Sequence, residues 1–424
     1  MTYLIMFSTF FLLLFLSAPI AMCLGISALL TLLYNGTSLT VIASGIYSGI
    51  AKYLLLSIPF FVLSGNIMAR AGISERLIAF VDALCGHFRG GIATVSIIVA
   101  CFFGAISGSG AATVAALGII LIPVMIEREK FKAPFATGVI AAASSIAVII
   151  PPSISFVVYA SITGVSVGNM FISGIIPGVI IGLAMILVVQ WKAAKDQLKP
   201  SHTWLGWKEV WRTFKSAFWG MLMPVIILGG IYGGIFTPTE AASVSVVYGL
   251  FVGIIIYREL KFKDLIELFY DTAKSTGSLM LIVGAATIFS YACTKYGISS
   301  GVQSILTLGN KYLFLVIVNI IFLIAGCFID SNSAMYIFIP IMAPVAKSFG
   351  IDLIHFGMIA TVNLAIGQYT PPVGMNLFVS AGLKIKGHAV SVEEISKAVI
   401  PMILVSVVVL ALITFIPWIT LCLF

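Results

Sequence analysis

Charge is nearly missing from this chain. Only 9% of its 424 residues are Asp, Glu, Lys or Arg, and 61% are hydrophobic, whereas a soluble domain carries about 25% charged residues. With a mean hydropathy of +1.17, a soluble fold is excluded and a polytopic membrane protein remains. The scarcity is patterned. No Lys, Arg, Asp, Glu or His occurs from Met1 to Ala51, and no charged residue from Gly90 to Ile126, Ala133 to Trp191, or Ala398 to Phe424. A membrane helix needs about 20 apolar residues, so these runs predict about ten to twelve passes, some of them re-entrant.

Other absences narrow the class. The apolar N-terminus has no basic residue ahead of it and is too long for a cleavable signal; it reads as a first helix bent near Pro19. No GxxxxGK[ST] sequence is present, so ATP-driven transport would need another chain. The six cysteines are scattered without a CxxC pair and read as small packing residues. None of His87, His202, His355 and His388 has a second ligand at metal spacing. "GAISGSG" (104–110) has no His or Lys in the surrounding uncharged runs to act as a base, which argues against an intramembrane serine hydrolase.

What charge there is collects in one place. The net charge of +8 concentrates at 192–215, where Lys192, Lys195, Lys199, Lys208, Arg212 and Lys215 meet only Asp196 and Glu209. This reads as a basic loop, 191–215, and the positive-inside rule assigns it to the cytoplasm.

A weak internal repeat emerges on either side of that loop. "APIAM" around Pro19 matches "TPTEA" around Pro238, and "RAGIS" (70–74) matches "KYGIS" (295–299). "IPPSIS" (150–155) matches "TPPVGM" (370–375), and "VSVGNMFISGIIPG" (165–178) matches "VSVEEISKAVIPM" (390–402). The shared order predicts two pseudo-repeats, 1–190 and 216–424, an arrangement common in secondary transporters.

Each half also holds two interruptions inside apolar runs: Ser107–Gly110 with Pro151–Pro152, and Asp330–Ser333 with Pro371–Pro372. Irregular backbone at membrane depth survives only if buried in protein or lining a wet cavity. A broken helix frees carbonyls at one half-end, which suit a hard cation such as Na⁺, and N–H groups at the other, which suit an anion. Asp330 is the only charged residue between Lys311 and Lys347. It reads either as a cation ligand, the default for an intramembrane acid, or as the cap of a helix beginning at Ser331. Glu240, in "FTPTEAA", reads as a helix cap. Four opposed interruptions and a lone acid favour an occluding site over an open channel.

At these residues the chain resembles the large membrane subunit of a tripartite ATP-independent periplasmic (TRAP) transporter, within the broad ion-transporter superfamily. The likeness runs nearly end to end. It is carried by "SIPFFVLSGNIMARAGIS" (57–74), "FFGAISGSGAAT" (102–113), "IIPPSI" (149–154), "IYGGIFTPTEAA" (231–242), "DSNSA" (330–334) and "YTPPVGMNLF" (369–378). The resemblance implies an all-α membrane protein of the bacterial inner membrane, not an enzyme, whose two re-entrant hairpins and two broken helices slide as an elevator against a scaffold. It implies Na⁺-coupled import of an organic-acid anion delivered by a periplasmic substrate-binding protein. It also implies a small four-helix membrane subunit, here a separate polypeptide. Wording through 191–219 is most similar to the sialic-acid branch; C4-dicarboxylates are the alternative substrate, and a stand-alone ion-coupled anion transporter the alternative assembly.

Carried over by position, the resemblance implies hairpin tips at 107–110 and 330–333. One Na⁺ is expected at Ser107, Gly108, Ser109, Pro151 and Ser153, and a second at Asp330, Ser331, Gly367, Thr370 and Val373. The substrate anion is expected at Ser109, Thr113, Ser153, Asn332 and Asn376.

Overall fold

A computed structural model describes residues 2–297, 301, 309–383, 385 and 389–424. The chain is an all-α polytopic membrane protein, with no strand among the described residues. Ile298, Ser299 and His388, named above, lie outside them. Eight described helices are long and apolar enough to cross a membrane, and seven more apolar helices run only 10–17 residues. The interrupted runs are cut into short helices, and ten residues of helix rise only about 15 Å, half the hydrocarbon thickness.

The N-terminus also differs from expectation. It is two helices, α1 (Thr2–Phe15) and α2 (Ile20–Tyr34), separated by a reversal at Ser17, where φ is 60°. The Thr2 hydroxyl donates to Asn35 Oδ1 at 3.2 Å, so the pair is antiparallel. Pro19 caps the start of α2 and begins a new helix instead of bending one, since its missing N–H costs nothing there.

An outer framework follows. α3 (Leu39–Ile50) and α2 pack on the long α13 (Phe262–Lys295), and α4 (Ser57–Arg70) packs on α13 and on α12 (Pro238–Phe251). Glu240 and Thr237 form a reciprocal capping box at the start of α12. α5 (Ile73–Cys85) packs on α11 (Trp207–Tyr232). The basic connection is shorter than 191–215. α10 (Val167–Lys195) runs into it, α11 begins at Trp207, and only 196–206 lies between. Lys192 and Lys195 in the last turn of α10 complement the negative helix end, and Lys192 pairs with Asp196 at 3.0 Å.

Within this framework sit two helix–turn–helix units, each followed by a bent pair. The first is α6 (Gly91–Ser107) and α7 (Gly110–Glu127), then α8 (Ala133–Ser145), a 3₁₀ turn at Ile146–Val148, and α9 (Ile154–Thr163). The second is α14 (Lys311–Phe328) and α15 (Ser331–Ser348), then α16 (Leu353–Gly367) and α17 (Met375–Ala381). α18 (Val392–Phe415) follows, opened by a Ser391–Glu394 capping box. Both Pro-Pro peptides are cis. The first unit opens toward the basic connection: a Cβ on Gly90 at its base would lie 2.9 Å from Ala193 at the end of α10. The second opens toward the other face, where the Leu353 carbonyl accepts from Tyr159 at 2.6 Å.

Candidate functional site

Each hairpin tip is a helix end meeting a helix start. At the first, Gly108 closes α6 with φ 60°, in the left-handed region that glycine tolerates. Ser109 then caps α7, its Oγ accepting from Ala112 N at 3.5 Å. Thr113 donates to the Ser109 carbonyl at 2.8 Å and shares a 3.1 Å bond with Ser107. At the second tip Asp330 caps α15, its Oδ2 accepting from Asn332 N at 3.0 Å and Ser333 N at 3.1 Å, while the Ser333 hydroxyl donates to Oδ1. Of the two readings of Asp330, the cap is realised in the geometry. The carboxylate has no basic side chain within salt-bridge distance among the described residues.

Backbone-to-backbone contacts hold each tip against a bend. A Cβ on Gly104 would lie 2.5 Å from Ala147 Cα, and one on Gly367 would lie 2.5 Å from Gly326 Cα. Gly108 faces the Pro152 carbonyl and Ile154 N. Thus Ser107, Gly108 and Ser109 meet the Pro151–Ser153 bend, where the Ser153 hydroxyl donates to the Val148 carbonyl at 2.6 Å. At the second pair Gly374 N donates to the Cys327 carbonyl at 2.8 Å, and the Thr370 hydroxyl to Ile366 O at 2.7 Å. Asp330 and Ser331 therefore sit beside the Gly367–Val373 bend.

Side chains then tie the two assemblies together. Ser155 donates to Asn332 Oδ1 at 3.0 Å, joining the first bend to the second tip. Gln368 Nε2 donates to Ser331 Oγ at 2.8 Å. Gly110 lies so near Gln368 that a Cβ there would be 2.4 Å from its Oε1, joining the first tip to the second bend. Gln368 Oε1 and Asn376 Oδ1 are buried without a hydrogen-bond partner among the described residues, so uncompensated oxygen faces the junction.

The junction borders a cavity of about 420 Å³ lined by Ser107–Ala112 of the first tip, Asp330–Asn332 of the second, Ser155 and Gln368. Thr113, Ser153 and Asn376 are fully buried behind this wall, Asn376 donating to the Ala141 carbonyl at 3.1 Å. They can support a bound anion without touching it. The opposite wall is framework: Gly65 and Asn66 of α4, Ser275 and Ser278 of α13. Sequence reading missed these four. Asn66 was findable as the one amide in the apolar run 57–69; two serines on a helix carrying several charges give no signal. Three helix N-termini, those of α7, α9 and α15, start at the junction, so N–H groups and a positive dipole pole border a cavity with no lysine or arginine among its described lining residues.

Residues 7–419 match the model of the family described as tripartite ATP-independent periplasmic transporter, DctM component. The chain belongs to that family. It is therefore a transporter subunit and a multi-pass protein of the bacterial inner membrane. A C4-dicarboxylate TRAP transporter large permease protein of Vibrio cholerae is 40% identical over 426 residues, covering 95% of this chain and 93% of that protein. A sialic acid TRAP transporter large permease protein of the same organism is 35% identical over 412 residues, covering 96% and 95%. An isethionate TRAP transporter permease of Oleidesulfovibrio alaskensis is 38% identical over 416 residues, covering 97% of this TRAP subunit and 65% of its own length.

Proposed function

We propose that this TRAP subunit imports a small organic-acid anion together with Na⁺. The observation that carries the reading is the convergence of both tips and both bends on one cavity bordered by three helix N-termini. An anion is stabilised there by N–H groups and neutral hydroxyl and amide side chains without a fixed positive residue. Co-transported Na⁺ would take oxygen ligands: one ion beside Ser107, Ser109 and the Pro151–Ser153 bend, the other beside Asp330 and the Gly367–Val373 bend. The second needs Asp330 to keep one oxygen free of its capping bonds. The two tip-and-bend units are proposed to be inverted pseudo-repeats that slide as one body along α4 and α13.

Relatives favour a C4-dicarboxylate as first test substrate, since two of the similar permeases named for it are 40% identical. Sialic acid, the expectation from the 191–219 wording, is the second, supported by the 35% identical sialic acid permease. A periplasmic binding protein and a small membrane subunit are the proposed partners. Proteoliposomes holding this subunit with both partners are expected to accumulate radiolabelled succinate or sialic acid under an inward Na⁺ gradient. Uptake unchanged when K⁺ replaces Na⁺ would refute the coupling.

A further inference from the structure

A second cavity, of about 450 Å³, lies on the face opposite the basic connection and has no acid among its described lining residues. Two lysines face it, Lys52 just before α4 and Lys347 near the end of α15, together with the hydroxyls of Thr163, Thr287, Ser290 and Tyr336. Lys52 Nζ donates to the Ser161 carbonyl at 2.7 Å and neither lysine has a carboxylate partner among the described residues. The acid nearest Lys347 in sequence, Asp352, accepts from Ile354 N and His355 N through its Oδ1 at the start of α16. Positive residues on this face also run against the bias that gathers them on the cytoplasmic side, so topology does not account for them.

The two cavities share walls. α13 turns Ser275 and Leu279 to the central cavity and Ala286 and Ser290 to this one. A separation of 11 residues is close to three helical turns, so both pairs lie on one face of the helix, about 16 Å apart. α15 likewise starts in the central cavity at Ser331 and passes Tyr336 and Lys347 along the second.

We propose that this second cavity is an anion-binding vestibule, a station where Lys52 and Lys347 gather a small carboxylate before it reaches the central site. Unpaired cations in a concave, partly desolvated mouth raise the local concentration of anions. The direction of transfer rests on the import reading above; the preference for anions does not.

Charge-selective labelling of the reconstituted full-length subunit tests it without transport. Ser290→Cys is treated with an anionic sulfonatoethyl and a cationic trimethylammonioethyl methanethiosulfonate, and labelling of the parent's own cysteines is subtracted. The anionic-to-cationic rate ratio, normalised to that of a free small thiol, is expected at roughly fivefold or more. It should fall to near one when Lys52→Gln and Lys347→Gln are added together; the amide introduced at position 52 still offers a donor to the Ser161 carbonyl. A normalised ratio near one with both lysines present, or one unmoved by removing them, overturns the vestibule. Failure of Na⁺-driven uptake would instead sink the import reading and leave this ratio standing.

Discussion

Asp330 caps a helix and is also the proposed cation ligand. As a cap it satisfies two orphan amides of α15, an arrangement worth about 1 kcal/mol. It is also the only acidic residue lining the central cavity among the described residues, the feature that makes it the proposed cation ligand. Glu129 poses a different case at the base of the first hairpin. The residue is 1% exposed, Oε1 accepts from Ile92 N at 2.9 Å and Oε2 has no partner among the described residues. Burial pushes its pKa up to about 7, against the opposing pull of the Ile92 and Ala93 amides, with Asp82 adding repulsion. The folded state therefore keeps a proton between pH 4.5 and about 7 that the unfolded chain releases. Stability is expected to fall as pH rises through that window and to level off above it. Glu129→Gln keeps the acceptor and removes the titration. In thermal unfolding it should match the parent near pH 5 and exceed it near pH 8; a constant difference across that range would rule the buried charge out as the cause.

At the scale of elements, the contacts that fix the site are glycine against backbone. Gly104 on α6 meets Ala147 beside the first bend, and Gly326 on α14 meets Gly367 beside the second. A methyl group at either contact cannot be absorbed by a rotamer change, because the opposing atoms are main chain. Gly104→Ala and Gly367→Ala are each expected to cost about 1–3 kcal/mol and to lower uptake. Gly229→Ala on α11, where no described residue would lie within 4 Å of the added Cβ, should be neutral or slightly stabilising. Equal effects at all three positions would show that close approach is not what these glycines provide. The breaks themselves were legible in the sequence, since Gly, Ser, Asp and Pro-Pro stand out in uncharged runs. The caps at Asp330 and Glu240 were legible for the same reason. Hydropathy measures apolar length and does not register that a run such as 133–163 stops at Ser145 and restarts as a helix at Ile154. The antiparallel α1–α2 pair was not legible: 51 uncharged residues look alike whether straight or folded back, and the reversal shows only in the structure, at Ser17 and in the Thr2–Asn35 bond.

Across the whole molecule, two tip-and-bend units approach from opposite faces and interlock through Ser155–Asn332 and Gln368–Ser331. The framework wall of the cavity, Asn66 with Ser275 and Ser278, comes from helices far apart in sequence, which is why single-sequence pattern could not assign it. The proposed function asks this arrangement to hold Na⁺ on carbonyl oxygens of the bends and on one carboxylate. Ligand binding to the folded state alone stabilises it by RT ln(1 + [L]/Kd), about 2.7 kcal/mol at a hundredfold excess over Kd. Thermal unfolding of the purified subunit in NaCl against KCl at equal ionic strength measures this directly. The parent should melt several degrees higher in NaCl, and Asp330→Asn, which retains a capping oxygen, should keep its KCl melting point while losing part of the NaCl increment. Identical melting in the two salts, or an increment untouched by Asp330→Asn, would contradict the account.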